Sequence, residues 1–190
     1  MNLPNKLTVG RLFLTVLFLI VFFGRSAYAD TIALTLFVLA SLTDYWDGEI
    51  ARKRNLITNF GILMDPLADK ILICSAFIAF VEHKDMKAWM AVVIVARELA
   101  ITGLRMLAAS KQKVLAAERW GKHKTISQIV AIISILVNRS YPEWGDWTTN
   151  IFGSWVPWFA QVWLWIAVLL TAFSGCLYLW KNRQFYLDDR

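Results

Sequence analysis

Four aspartates stand where an apolar chain tolerates them least: Asp44 and Asp47 in one hydrophobic stretch, Asp65 and Asp69 in the next. A carboxylate deep in a membrane helix costs about 3 kcal/mol even on lenient insertion scales, so four of them require a shared partner. Residues three or four apart lie on one helical face. Asp44 with Asp47, and Asp65 with Asp69, can therefore converge from two antiparallel helices as a cluster of oxygen ligands. Hard divalent cations such as Mg²⁺ or Mn²⁺ prefer such ligands, and Mg²⁺ usually completes its shell with substrate phosphates. The cluster implies a phosphate-bearing substrate. Ion-paired helix ends, balanced by Arg52, Lys53, Arg54 and Lys70, would account for the charge but not for the spacing. Gly48 and Gly61, beside the aspartates, leave room for a ligand or a neighbouring helix.

A second constellation is basic. Arg97 and Arg105 interrupt the mostly apolar stretch 86–107, and such charges avoid lipid. Eight residues apart, they stand about 80° around a helix, so both can face one cavity. With Lys122 and Lys124 at the start of the next stretch they form a basic pocket suited to a phosphate dianion, which favours an anionic acceptor over a neutral one. The competing account neutralises Arg97 with Glu98 or an aspartate and treats the two lysines as anchors at the membrane surface.

The elements that must carry these groups are helices in a bilayer. Of 190 residues, 58% are hydrophobic, which is too apolar for an ordinary soluble domain of that length. Measured against the roughly 20 apolar residues that cross a bilayer, six spans are expected, near 7–24, 31–51, 61–81, 86–108, 125–138 and 157–180, the fifth being short. No repeat or low-complexity linker divides them. The chain is therefore expected to be all-α, a polytopic bundle of about six transmembrane helices forming a single domain over 1–190. Lys and Arg gather on one set of connections, while Arg25, Lys84, Lys87 and Arg139 mark the other. The positive-inside rule then puts both termini and the aspartates on the cytoplasmic side, as in a multi-pass protein of a bacterial-type inner membrane. Trp144, Trp147, Trp155 and Trp158 fall near the outer interface.

Several readings are disfavoured. The first apolar run ends in Ala27-Tyr28-Ala29, which resembles a signal-peptide cleavage site, but five more hydrophobic spans follow it and a retained helix is the simpler reading. The net charge of +6 forms no stripe on a soluble face, so no nucleic acid is expected; anionic lipid or substrate fits better. Cys74 and Cys176 have no metal or disulfide spacing and are expected as packing residues. His83 and His123 stand alone among charged neighbours.

Read together, Asp44, Asp47, Gly48, Ala51, Arg52, Gly61, Asp65 and Asp69 match D-x-x-D-G-x-x-A-R-x8-G-x3-D-x3-D in full. This resembles the signature of the CDP-alcohol phosphatidyltransferases. The segment Pro4–Arg11, the pairs Arg97-Glu98 and Leu104-Arg105, and Gly121-Lys122-His123-Lys124-Thr125 with Gln128 resemble the glycerophosphate branch of that family. Residues 139–190 offer only bulk hydrophobicity to the comparison.

The resemblance implies two divalent cations, Mg²⁺ or Mn²⁺, on Asp44, Asp47, Asp65 and Asp69, with Asp69 also the candidate general base. Gly48, Ala51 and Arg52 would line the CMP part of a CDP-diacylglycerol donor, with Thr8 and Arg11 as further donor-side contacts. Arg97, Arg105, Lys122 and Lys124 would meet the phosphate of glycerol 3-phosphate, and the products would be phosphatidylglycerophosphate and CMP. A homodimer in contact with membrane lipid is the family's expectation. The signature fixes the donor chemistry and not the acceptor, so a sibling using serine, inositol or inositol phosphate stays open. So does a cation-coupled transporter, since ion pathways also contain intramembrane carboxylates and arginines.

Overall fold

The computed structural model describes the backbone of residues 3–54, 59–110 and 119–183, and side chains there except at 3–7, 44–54, 59–66, 69, 110, 119–120 and 122. The described residues are almost entirely helical: α1 (Leu3–Phe22), α2 (Ala29–Arg54), α3 (Asn59–Glu82), α4 (Ala88–Ser110), α5 (Arg119–Ser140), a 3-10 turn (Tyr141–Trp144), short α6 (Asp146–Phe152) and α7 (Val156–Lys181). The all-α expectation holds among the described residues, and each of the six long helices overlaps an expected apolar stretch, α5 extending well beyond its own. Apolar length alone singles out fewer of them. Among the described residues only α7 is long and apolar enough to cross a membrane by that measure, with shorter apolar segments at Thr8–Phe22 and Ala29–Thr43. The reason is local: Arg97, Glu98 and Arg105 interrupt α4, and Lys122, His123 and Lys124 interrupt α5.

Helix α1 packs on α2 and α3, α5 on α2 and α7, and α4 on α3 and α7. The core between them interleaves aromatic and small residues. Phe18, Phe22, Phe37, Phe77 and Phe80 fill it, while Ala33, Ala40 and Ala76 let helix backbones approach. Ring centroids lie 5.6 Å apart for Phe18–Phe22, 6.0 Å for Phe18–Phe37 and 5.6 Å for Phe22–Phe80. The first apolar run, with its leader-like ending, thus supplies a share of the core.

Polarity is inverted relative to a soluble bundle. Arg11, Glu98, Lys124, Gln128 and Thr171 are buried, whereas Phe13, Val92, Leu99, Trp158, Leu169 and Trp180 are each more than three-fifths exposed. A water-soluble monomer rarely displays so much contiguous apolar surface. Cys74 is half-buried and Cys176 exposed, so the expected packing role fails for the second, which points outward from α7.

The end of the bundle away from the aspartates is tied by ionic contacts. Arg139, in the last turn of α5, donates from Nε to Asp30 at 2.8 Å and from Nη1 to Asp85 at 3.0 Å, and its guanidinium lies 4.9 Å from the Phe22 ring centroid. Burial pushes the Asp85 carboxyl above its ordinary value, and the charge and hydrogen bond of Arg139 offset only part of that. The pair therefore fixes position more than it adds stability. Glu143 caps α2: its carboxylate accepts the N–H groups of Asp30 (3.0 Å) and Thr31 (2.9 Å), where a helix start has unsatisfied donors and a partial positive charge. Trp144 Nε1 donates to the Thr31 hydroxyl at 2.8 Å.

Candidate functional site

The aspartates lie toward one end of the bundle. Helix α2 runs unbroken through Asp44, Asp47, Gly48, Ala51 and Arg52, and α3 carries Gly61, Asp65 and Asp69 in its first half. The side chains of these eight residues lie outside the described set. Their backbone placement still constrains them, because only residues 55–58 separate α2 from α3, a span of at most about 18 Å. Both carboxylate pairs have the spacing of a shared helical face. Carboxylates are the ligand type that hard divalent cations such as Mg²⁺ prefer, with phosphate completing the shell. Among the described residues no other group of His, Cys, Asp or Glu could hold a metal.

Lys70, directly after Asp69, leads from this end into α4. Its ammonium donates to the Thr102 hydroxyl, which donates in turn to the Glu98 carbonyl at 2.7 Å. One turn back is the centre of the basic constellation, and it is an acid. Glu98, 4% exposed, accepts from Lys124 Nζ of α5 and from Arg97 Nη1 at 3.3 Å. Lys124 is itself 5% exposed. Three helices thus contribute charge around one buried carboxylate, an arrangement that is costly to assemble and strongly destabilising to break.

The expected residues separate at this point. Arg97 and Lys124 are brought together, through Glu98. Arg105 is exposed on α4; the offset of about 80° that allows both arginines to face one cavity also allows one to turn in and the other out. The Lys122 side chain lies outside the described set. Thr8 and Arg11, one turn apart on α1, are both buried, at 1% and 2% exposure, and the Arg11 carbonyl accepts from the Thr15 hydroxyl at 2.9 Å.

Helix α7 supplies what the sequence analysis missed. Thr171, Ser174, Gly175 and Tyr178 are buried in one stripe at helical spacing. Gln128 of α5, fully buried, donates to the Thr171 hydroxyl at 3.0 Å, and Tyr178 packs on Ile101 and Leu104 of α4. Gly175 is required by proximity: a Cβ there would lie 2.7 Å from Arg97 Cγ. Arg97 Nε, Gln128 Oε1 and the Tyr178 hydroxyl are buried without a hydrogen-bond partner among the described residues. Two donors and an acceptor along one seam can receive a polar molecule. The polar stripe in an otherwise apolar α7 was the available signal.

A prediction follows from the Gly175 contact. Gly175→Ala is expected to push the Arg97 stem off α7 and raise the KM for the anionic acceptor several-fold with the KM for the donor little changed. Steady-state kinetics with each substrate varied in turn would show it, and an unchanged acceptor KM would mean that Arg97 does not contact that substrate.

A family model described as CDP-alcohol phosphatidyltransferase matches residues 1–173. Among curated proteins, one from Bacillus subtilis (strain 168) is 40% identical over 95% of each chain. One from Rickettsia bellii (strain RML369-C) is 35% identical over 97% of each, and one from Salmonella typhimurium (strain LT2) is 34% identical over 99% of this chain and 98% of its own. All three are named CDP-diacylglycerol–glycerol-3-phosphate 3-phosphatidyltransferase.

Proposed function

Because the chain belongs to the CDP-alcohol phosphatidyltransferase family, we propose that it transfers the phosphatidyl group of CDP-diacylglycerol to sn-glycerol 3-phosphate, giving phosphatidylglycerophosphate and CMP. The observation that carries the choice of acceptor is the shared name of relatives that match nearly the whole chain. The Arg97–Glu98–Lys124 cluster, two hydrogen bonds from Lys70 beside the aspartates by way of Thr102, supports it.

In this reading Asp44, Asp47, Asp65 and Asp69 hold two divalent cations, Mg²⁺ or Mn²⁺, which when bound neutralise the pyrophosphate and stabilise developing charge. Gly48 and Ala51 leave space for the cytidine, and Arg52, Thr8 and Arg11 engage the donor's polar groups. Arg97 and Lys124 orient the acceptor phosphate, with Lys122 and Arg105 at the pocket mouth. Asp69 takes the proton of the acceptor's primary hydroxyl. That oxygen bonds to the phosphatidyl phosphorus as the bond from phosphorus to CMP breaks, and CMP leaves with the electron pair. Glu98 holds the two cations of the acceptor pocket in register without touching substrate.

The apolar exterior and polar interior support a multi-pass protein of a bacterial-type inner membrane, with the six long helices spanning and the aspartates on the cytoplasmic side. The charged residues in α4 and α5 are compatible with this, since Glu98 and Lys124 pair inside the bundle. A homodimer in membrane lipid belongs to the same reading and rests on family resemblance.

The test is CMP release by purified protein given CDP-diacylglycerol and, separately, glycerol 3-phosphate, inositol phosphate, inositol or serine, with Mg²⁺ or a chelator. Metal-dependent release with glycerol 3-phosphate alone is the expected result. Release with a different acceptor would reassign the substrate, and no release with any acceptor from folded protein would overturn the enzyme reading in favour of transport.

A further inference from the structure

At the end of the bundle opposite the aspartates, α3 stops in a left-handed cap. Lys84 N–H donates to Val81 O at 3.1 Å and Asp85 N–H to Phe80 O at 2.9 Å, and Lys84 has a φ of 62°. Glycine ordinarily fills this position, because a side chain there strains the backbone. A lysine held in it projects a cation where the fold alone would favour none. The turn also sorts its charges: Asp85 faces inward onto Arg139, while Lys84 and Lys87 are exposed and have no acidic partner among the described residues.

The two lysines line a cavity of about 570 Å³ together with Asp85, Gln161, Trp165, Met90 and Leu164, and the Asp85 carboxylate there is already taken by Arg139. A second cavity, of about 460 Å³, adjoins it by sharing Val81 and Ala88, and is walled by Phe23, Ile78 and Ala91, with Glu82 also on its lining. Trp89 and Trp165 meet beside them, ring centroids 5.7 Å apart, both about half exposed. Indoles of this kind gather at the level of lipid head groups.

We propose that Lys84 and Lys87 bind the phosphate of an anionic phospholipid whose acyl chain lies in the adjoining apolar cavity, a lipid site separate from the catalytic end. A monoanionic phosphodiester complements two ammonium groups that have no counter-ion in contact among the described residues. The apolar continuation selects a lipid over a free anion. This inference rests on the membrane-spanning reading above.

Its test is the preference of the delipidated full-length protein for spin-labelled phosphatidylglycerol over phosphatidylcholine in mixed micelles, compared with Lys84→Gly/Lys87→Gln. Glycine suits the cap, so the variant is expected to keep its thermal midpoint and its basal CMP release. The preference is expected to fall by about fivefold per lysine removed, from the attraction of one surface cation to anionic lipid. Lys84→Arg is expected to retain it. An unchanged preference in the double variant would overturn the site, and full competition by inorganic phosphate would show an anion site without a lipid. Alkaline extraction of membranes separates the two readings: a chain that washes off sinks the spanning topology, while one that stays but shows no lysine-dependent preference sinks the lipid site alone.

Discussion

Asp69→Asn is expected to lower kcat by about three orders of magnitude while leaving the protein folded, the range of a lost general base. The substitution is isosteric; what changes is the charge, one of the carboxylates assigned to the cations, and the capacity to accept a proton. Asp44→Asn makes an informative partner, because it removes a ligand but not the base. In that variant excess Mg²⁺ or Mn²⁺ is expected to recover part of the rate with every acceptor tested, whereas Asp69→Asn stays slow at saturating metal. Single-turnover CMP release across a metal titration distinguishes the two. Full turnover of Asp69→Asn at normal metal affinity would require a different base.

The second large effect concerns Lys124. Lys124→Met removes one of two cations on a carboxylate that is 4% exposed and leaves Arg97 as its remaining partner, so the cost is a part of the roughly 3–5 kcal/mol of a fully stranded buried charge. The variant is expected to lose thermal stability and to raise the KM for glycerol 3-phosphate by about 30-fold or more, the scale on which truncating a buried charge contact weakens binding. Stability and binding are separated by the pair Glu98→Gln/Lys124→Met. Removing both charges restores most of the stability, yet acceptor affinity stays low if Lys124 meets the acceptor phosphate. A wild-type acceptor KM in the double variant would reduce Lys124 to a structural role.

Legibility differed between features that are local in sequence and features that arise between helices. The aspartates stand out in the sequence because a carboxylate in an apolar run is anomalous on its own and the anomaly repeats at helical spacing, while their side chains lie outside the described residues. The long helices were legible from apolar runs, and α5 shows where that criterion fails. The apolar stretch suggested 125–138, but the helix covers Arg119–Ser140, since Lys124 finds its counter-ion on α4. The 3-10 turn and α6 went unread because Trp, Gly and Pro crowd residues 141–155 and give neither a run nor a period.

In the basic constellation, the competing account that paired Arg97 with Glu98 describes the observed contact, and Lys124 joins the same carboxylate. Sequence spacing cannot place a group on another helix, so the acid at the centre of the cluster was visible only as a neighbour of Arg97. Arg105 illustrates the converse: an angle of about 80° is compatible with convergence and does not require it. Helix α7 was set aside as bulk hydrophobicity, although Thr171, Ser174, Gly175 and Tyr178 lie three, one and three residues apart and trace a polar line through it.

The capping of α2 by Glu143 bears on the order in which the molecule is assembled. The first turn of α2 emerges during synthesis 112 residues before the carboxylate that closes it, and Asp30 waits 109 residues for Arg139. Until then α1 and α2 are held by each other and by α3, as in Phe18 against Phe37 and Phe22 against Phe80, and the start of α2 must be hydrated or frayed. Contacts so distant along the chain form late. The aspartate-bearing half of α2 is thus laid down as part of an early hairpin whose far end is locked only after α5 and the following turn have arrived, which makes truncation before residue 143 a defect of α2 as much as of the missing segment.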